Sequence, residues 1–585
     1  MLNETGTDRG NIKAILTALL INALTALVCL CVFRPEFETN DDSGLIAIAC
    51  GARGIRDPHL VHSNYLFGKL LTGLYAANGE LQWWSLIQFA LLFIAFFMIT
   101  LVFIRRLSGI AGTLFTAAVI FFFSFEGYTC IQYTKTAGIL CAAGLMMLFH
   151  GLLEAGADGG PGGKTGRNSG VFFVITGMLL TVFGSFYRFQ EFCCIAAVFG
   201  AMVVYLIAYE LGESDEAGRR IARAAAAGAA LLLIAGGLRV YDRAQYRSEE
   251  WSDYLEFDKY RTEVLDYGVP DYDAHEAEYN AAGIDRTAYE LMKSWTFQDS
   301  EKFTAETFRT IAEFRDKKTI NGAFVKSFAR DFAKGLLRGR TFLCFLVTLA
   351  GWIFIGSHRK RNWISLCVLA AVVTALNFYL YYAGRFMVNR VDTGIWLAAV
   401  LIVLYQYKTD TAEACSGDTE KKEGSSAAFR NAVLAGCFFL TVAAFAARMP
   451  WQDSLKYGKV NDADEKMLER QAIETISSDK DHLYLTKVGT LKFSEAYGVT
   501  DAVPYRIADN IYPLGGWGSA TPVFRSVPER YGVDNPFRDM IGNEKVYLVD
   551  NDIEGTLAYI RRWYKADAEA VPADTVNGHE IYRIK

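Results

Sequence analysis

Cysteine is missing from both long polar stretches of this chain: none of its 11 cysteines falls within residues 241–340 or beyond residue 448. A disulfide framework is thereby excluded as the scaffold of those stretches. Basic character is also absent, since the formal net charge is -5 and no cationic stripe interleaved with aromatics occurs, which argues against a nucleic-acid partner. Zinc-ligand spacing is missing too. His59 and His62 stand i,i+3 apart, yet no third ligand follows at a suitable interval, so they read as one face of an interfacial helix. Gly515-Gly516-Trp517-Gly518 lacks the Lys-Ser/Thr ending of a phosphate loop and reads as a loop near the membrane or an acceptor. No internal repeat of the transporter kind is visible. No small-residue processing site follows the first apolar run before Arg34-Pro35, so that run is expected to be a retained anchor.

What the chain has is apolar length. Of its 585 residues 52% are hydrophobic while 21% are charged, so the two classes must be segregated along the sequence. Apolar runs lie near residues 12–33, 84–104, 108–125, 138–153, 170–187, 192–210, 222–240, 341–357, 363–382, 392–407 and 431–448. The expectation is an α-helical polytopic membrane protein of about eleven spans. Arg105-Arg106, Lys164 with Arg167, Arg219-Arg220 with Arg223, residues 358–361 and Lys421-Lys422 fall on alternate loops, which the positive-inside rule assigns to the cytoplasm. The amino terminus is then cytoplasmic. Residues 34–83, 241–340 and 449–585 face the extracytoplasmic side. Two domains follow: residues 1–448, a transmembrane body carrying the two outer loops, and residues 449–585, a small extracytoplasmic α/β domain. The stretches 159–163 and 416–426 read as flexible linkers.

The most telling motif is Asn40-Asp41-Asp42, two adjacent carboxylates just after the first span. At the bilayer centre a charge costs roughly 2.5–3.5 kcal/mol, but at the interface a carboxylate faces a lipid-borne substrate without that penalty. An alternative is that one of the pair caps the helix that follows. Residues 45–50 are apolar and short enough for an interfacial helix. In residues 63–79, Leu66, Phe67, Leu70, Leu71, Leu74 and Tyr75 recur at helical spacing opposite Asn64 and Lys69, a second one. Trp83-Trp84 marks the return to the bilayer. Residues 241–340 read as helical, with Asp285 and Thr304 as caps and Phe308, Ile311 and Phe314 on one face. In the last domain the expected strands are 483–485, 546–549 and 580–584, with helices near 462–477 and 553–564.

This arrangement resembles the GT-C superfamily of membrane glycosyltransferases. The resemblance is carried by Asn40-Asp41-Asp42, Pro58-His59, Asn64-Tyr65-Leu66-Phe67-Gly68, Leu74-Tyr75 and the alternation of short inner with longer outer loops. It covers about the first two-thirds of the chain and is architectural. It implies a polyprenyl-phosphate-linked sugar as donor, and a first-loop acid as general base or metal-associated acid. That role falls on Asp41 or Asp42, with Asp41 favoured.

Removing the proton of an acceptor hydroxyl requires such a base, and adjacent carboxylates raise one another's pKa. A phosphate leaving group requires cations, for which Lys135, Arg188, Arg385 and Arg390 are the candidates; snorkelling to headgroups is the alternative for each. Glu191, one turn after Arg188, is expected to pair with it. Asn40, Asn64 and Glu191 are weaker substrate-binding candidates. A divalent cation, magnesium or manganese, is either shared by Asp41 and Asp42 or not needed. The expected function is transfer of a sugar to an envelope glycan, lipid or protein acceptor on the outer face of the cell membrane, among membrane lipids. The alternatives are a glycolipid transporter or flippase and a polysaccharide polymerase or ligase using a polyprenyl carrier.

Overall fold

The computed structural model describes residues 2–155, 163–213, 217–315, 318–407, 420–455 and 460–585. The linkers expected at 159–163 and 416–426 lie partly outside them, and the described residues 420–426 belong to a helix, which corrects the flexible-linker expectation there. The chain begins with α1 (Leu2–Cys31), whose apolar part Gly10–Cys31 is mostly exposed along its length, as a lipid-facing helix requires. A short strand β1 (Glu36–Phe37) leads into α2 (Asp41–Cys50) and α3 (Tyr65–Ala77), the two short helices expected of the first loop. Then come α4 (Trp83–Arg106), α5 (Gly109–Thr129), β2 (Cys130–Ile131), α6 (Tyr133–Ala155), α7 (Gly163–Tyr187), α8 (Phe189–Val198), α9 (Gly200–Glu213) and α10 (Ala217–Gln245). β2 pairs in parallel with β1, fastening the α5–α6 junction to the first loop.

Residues 246–315 fold as α11 (Glu249–Arg261), α12 (Glu276–Ala281), α13 (Arg286–Lys293) and α14 (Ala305–Glu313). Asp285 caps α13 by accepting from the Ala288 N–H, and Thr304 caps α14 by accepting from Thr307. The bundle is completed by α15 (Gly322–Arg338), α16 (Phe342–Ile355), α17 (Lys360–Ala383), α18 (Asn389–Tyr405) and α19 (Glu420–Arg448).

Among the described residues nine helices are long and apolar enough to cross a membrane, ten if α15 and α16 form one bent span. The expected runs that fall outside this count by length are residues 341–357 and 392–407. α16 has 14 residues and is bent 86° from α15. α18 has 17 residues, and every side chain from Asp392 to Tyr405 is buried. It is a core helix that runs the length of the bundle, from Asn389 bonded to Glu126 at one end to the Tyr405 carbonyl bonded to Arg106 at the other.

α6 is the other central helix. It packs along α7 through glycines at seven-residue intervals, Gly144 facing Gly177, Gly151 facing Gly170, and Gly184 facing Ala137 and Cys141. A Cβ on Gly177 would lie 2.6 Å from the Gly144 carbonyl, so only hydrogen allows this approach.

The two ends of the bundle differ. At one, Arg106 donates Nη2 to the Tyr405 carbonyl at 2.6 Å and its guanidinium lies over that ring. At the other, the first loop, residues 246–315 and the carboxyl-terminal domain meet: Arg34 N–H donates to Ser454 O, Arg506 N–H to Gly51 O, and Thr296 bridges Gly515. The domain begins with α20 (Val460–Ser478) and has a mixed sheet of β3 (Leu483–Thr486), β4 (Ile511–Pro513), β5 (Val546–Val549), β6 (Ala570–Val576) and β7 (His579–Ile584), in the order β4-β3-β5-β7-β6. β3 runs parallel to β4 and β5, while β7 is antiparallel to β5 and β6.

Candidate active site

The site is built on the first turn of α2. Asn40, exposed, holds the N-cap position but makes no side-chain cap bond, and Asp41 and Asp42 follow inside the helix. Carboxylates are favoured there by the positive end of the helix dipole. Neither acid is the cap, which overturns the capping alternative. The helix closes at Gly51, whose φ of +79 suits a residue without Cβ.

The two acids have different surroundings. Asp41 is half-buried and its Oδ2 accepts from Thr39 Oγ1 at 3.3 Å. Asp42 is fully buried. Its Oδ1 accepts from Trp84 Nε1 at 2.9 Å and from Gln88 Nε2 at 3.4 Å, and its Oδ2 accepts from the Tyr133 N–H at 3.4 Å. Trp84 is packed against Phe67 and Tyr187, with ring centroids 5.8 and 5.7 Å away. Burial pushes the Asp42 carboxyl up to about 7, a rise the Trp84 bond restrains and the charge of Asp41 increases. A carboxyl titrating near neutrality is suited to proton transfer.

Tyr133, the first residue of α6, connects this acid to the cations. While its N–H binds Asp42, its hydroxyl accepts from Arg188 Nη1 at 3.2 Å. Arg188 stands at the N-cap of α8. Arg390, on the first turn of α18, has no hydrogen-bond or ion-pair partner among the described residues. Its charge acts on Tyr133 together with those of Arg188, Asp41 and Asp42. Arg385 is also close but engaged, donating to Asp266 Oδ2 at 2.8 Å with its guanidinium over Tyr267.

His62 lies among these groups. Its ring stacks on Tyr133 at 6.1 Å and meets Trp517 at 4.8 Å. Burial, then the charges of Arg188, Arg261, Arg385 and Arg390, hold its imidazole well below the usual histidine range, so it is neutral at pH 7. Arg261 is itself buried and paired with Asp258 at 2.7 Å and Asp266 at 3.3 Å.

Trp517 roofs the site from the carboxyl-terminal domain. Its loop is gripped by the middle region: the N–H groups of Phe297 and Gln298 donate to Leu514 O, and Tyr254 Oη donates to Trp517 O at 3.2 Å. The same loop fits tightly because Gly515 lies against the Trp295 carbonyl, where any Cβ would collide.

Other expected residues are engaged elsewhere. Lys135 is fully buried, its Nζ 2.6 Å from both Glu38 Oε2 and Glu126 Oε2 and 2.9 Å from Cys130 O. Arg340 and Asn389 complete that network on Glu126 at 3.3 and 3.0 Å. Asn64 caps α3, accepting from Leu66 N–H and donating to Leu238 O. The expected Arg188–Glu191 ion pair is absent. Arg188 turns to Tyr133, while Glu191 is wedged where α6 crosses α18, 2.7 Å from where a Cβ on Gly394 would lie.

His62, expected with His59 on an interfacial helix face, lies in the non-helical segment before α3, the loop of Trp517, expected near the membrane or an acceptor, reaches the site, and Tyr133 and Arg261 had no role assigned from sequence. Each carries a visible signal, a histidine two residues before the Asn64 cap, a tyrosine opening a span, an arginine ending α11 and a tryptophan between glycines, but none of these reveals convergence. Among the described residues no group of three or more His, Cys, Asp or Glu is placed to hold a metal ion. No family model, curated protein or solved structure matches the chain.

Proposed function

We propose that this protein is a membrane glycosyltransferase of the GT-C kind, moving a sugar from a polyprenyl-phosphate carrier to a glycan, lipid or protein acceptor of the cell envelope. The reaction runs on the outer face, with the amino terminus cytoplasmic and the carboxyl-terminal domain extracytoplasmic. The observation that carries this reading is the Asp42–Tyr133–Arg188 chain, which sets a near-neutral carboxyl beside an arginine with Arg390 close by.

In this reading ionised Asp42 takes the proton of the acceptor hydroxyl as its oxygen bonds to the anomeric carbon. The bond from that carbon to the carrier phosphate breaks, and the electron pair leaves with the phosphate oxygen. Arg188 and Arg390 stabilise the charge that develops there. Neutral His62 donates or accepts a hydrogen bond without competing for that charge, and Trp517 offers a ring face to the sugar. Asp42 Oδ1 is taken by Trp84 and Gln88, which leaves Oδ2, bonded only to the Tyr133 N–H at 3.4 Å, for the proton, while the more exposed Asp41 would be the ligand for a divalent cation, magnesium or manganese. Such ions are held by one or two carboxylates and substrate phosphates.

The test is envelope glycan composition by mass spectrometry in the native host, comparing wild type with inserted Asp42→Asn and Asp41→Asn proteins. Loss of one sugar substituent in Asp42→Asn supports transfer; unchanged glycans in both variants refute it. A second reading, a glycolipid transporter, draws on Glu191 and Asp392, buried acids of the bundle each with an oxygen lacking a hydrogen-bond partner. It requires glycolipid translocation in proteoliposomes that survives Asp42→Asn and fails in Glu191→Gln.

A further inference from the structure

At the opposite end of α2 from its acids, the carboxyl-terminal domain carries an open surface cleft of about 710 Å³, within the size range of small-ligand sites. Lys480, Arg506 and Arg530 line it, with Asp509 as the carboxylate between them. Lys480 Nζ reaches Asp509 Oδ1 at 2.5 Å and Arg506 Nε reaches Oδ2 at 2.6 Å. Arg530 has no carboxylate partner among the described residues: its Nη2 donates to the carbonyls of Arg53 and Asp509 at 3.1 and 2.6 Å. Three cations thus face one lining carboxylate. Of the acids nearby, Asp479 is already taken by His482 and Tyr484. Arg506 spends only Nε internally, leaving both terminal nitrogens without a partner among the described residues.

The backbone at Arg506 is unusual. Its φ of +64 lies in the left-handed region that L residues rarely adopt, and it is held there by its N–H bond to Gly51 O. Tyr505 and Tyr531 flank the cations with their hydroxyls fixed on the carbonyls of Gly54 and Lys480, both at 2.9 Å. A guanidinium fork beside aromatic rings recognises a sugar that carries an anionic group: the fork binds the carboxylate or phosphate and the rings cover the sugar's apolar face. The floor of the cleft is stitched to the end of α2, since Ala508 N–H donates to Ala52 O and Arg506 N–H to Gly51 O. α2 has 10 residues, so cleft and acid pair are separated by about 15 Å, which a short glycan can span.

We propose that this cleft is a binding subsite for an anionic saccharide bearing a carboxylate or a phosphate. Its role as the acceptor's anchor rests on the transferase reading; binding itself does not. The test is calorimetric binding to the full chain in nanodiscs, using tetragalacturonate, glucose 6-phosphate and neutral cellotetraose as probes. At least one anionic probe is expected to bind at least tenfold tighter than cellotetraose, and the one that does identifies the anionic group. Arg506→Gln and Lys480→Gln, both at exposed side chains paired with the buried Asp509, are expected to weaken that binding at least tenfold in protein that still unfolds cooperatively above the assay temperature. Equal affinity for charged and neutral probes, or charged-probe binding indifferent to both substitutions, overturns the proposal. Asp42→Asn is expected to bind as wild type does, so failure of the transfer reaction and failure of this subsite are told apart.

Discussion

Gly44 and Trp517 meet so closely that a Cβ on Gly44 would lie 2.8 Å from the indole Cζ2. The helix bearing the acid pair and the carboxyl-terminal domain therefore touch at a point where only hydrogen fits. Gly44→Ala is expected to displace Trp517 and cut transfer at least tenfold with the acids intact. Adding Trp517→Ala relieves the clash, so a double-mutant cycle read by thermal unfolding should show coupling of about 1 kcal/mol. Additive losses would mean that the contact carries no strain.

Burial raises Asp42 from 3.8 to about 7. If it is the base, the rate should climb with pH up to about 7 and level off above, and the residual rate of Asp42→Asn should not follow that curve. The same shift acts on stability. The folded state holds the proton more tightly than the unfolded state, so wild type loses stability as pH rises from about 4 to 7, by roughly 4 kcal/mol at most. The melting-temperature difference between Asp42→Asn and wild type should grow in the mutant's favour across that window and stay constant above it.

Arg390 has no protein partner among the described residues, so its removal should leave folding intact. Arg390→Gln is expected to lower single-turnover transfer by about 10²-fold or more, with an unchanged melting temperature. Arg390→Lys should recover little, because an ammonium lacks the planar fork. Full activity in Arg390→Gln would remove it from the phosphate site.

Lys135 is held by Glu126 and Glu38 inside the protein. Lys135→Met is expected to destabilise by about 3–5 kcal/mol, because it leaves buried carboxylates short of a counter-charge. Adding Glu126→Gln should restore much of the loss. Retained stability but lost transfer in Lys135→Met would return Lys135 to the substrate.

Local pattern was enough to find the long helices, the caps Asp285 and Thr304, and strands β3, β5 and β7, because each follows from neighbours along the chain. β4 and β6 were missed: β4 is three residues long, and β6 is an edge strand with none of its seven residues buried, Pro572 to Thr575 being exposed, so alternation is weak. The same limit applies to spans. Apolar length flags α18 as readily as α4, but whether lipid or protein surrounds a helix is set by its neighbours.

The sequence by itself determined a multi-span helical chain with a mixed α/β carboxyl-terminal domain and an acid pair after the first span, since hydropathy and periodicity are properties of contiguous residues. Only the tertiary structure decided which acid is buried, that Lys135 belongs to Glu126, and that His62 and Trp517 join Arg188 and Arg390 around Tyr133. Those relationships depend on where separate segments cross, and burial and charge act through distance in space, which spacing along a chain does not encode.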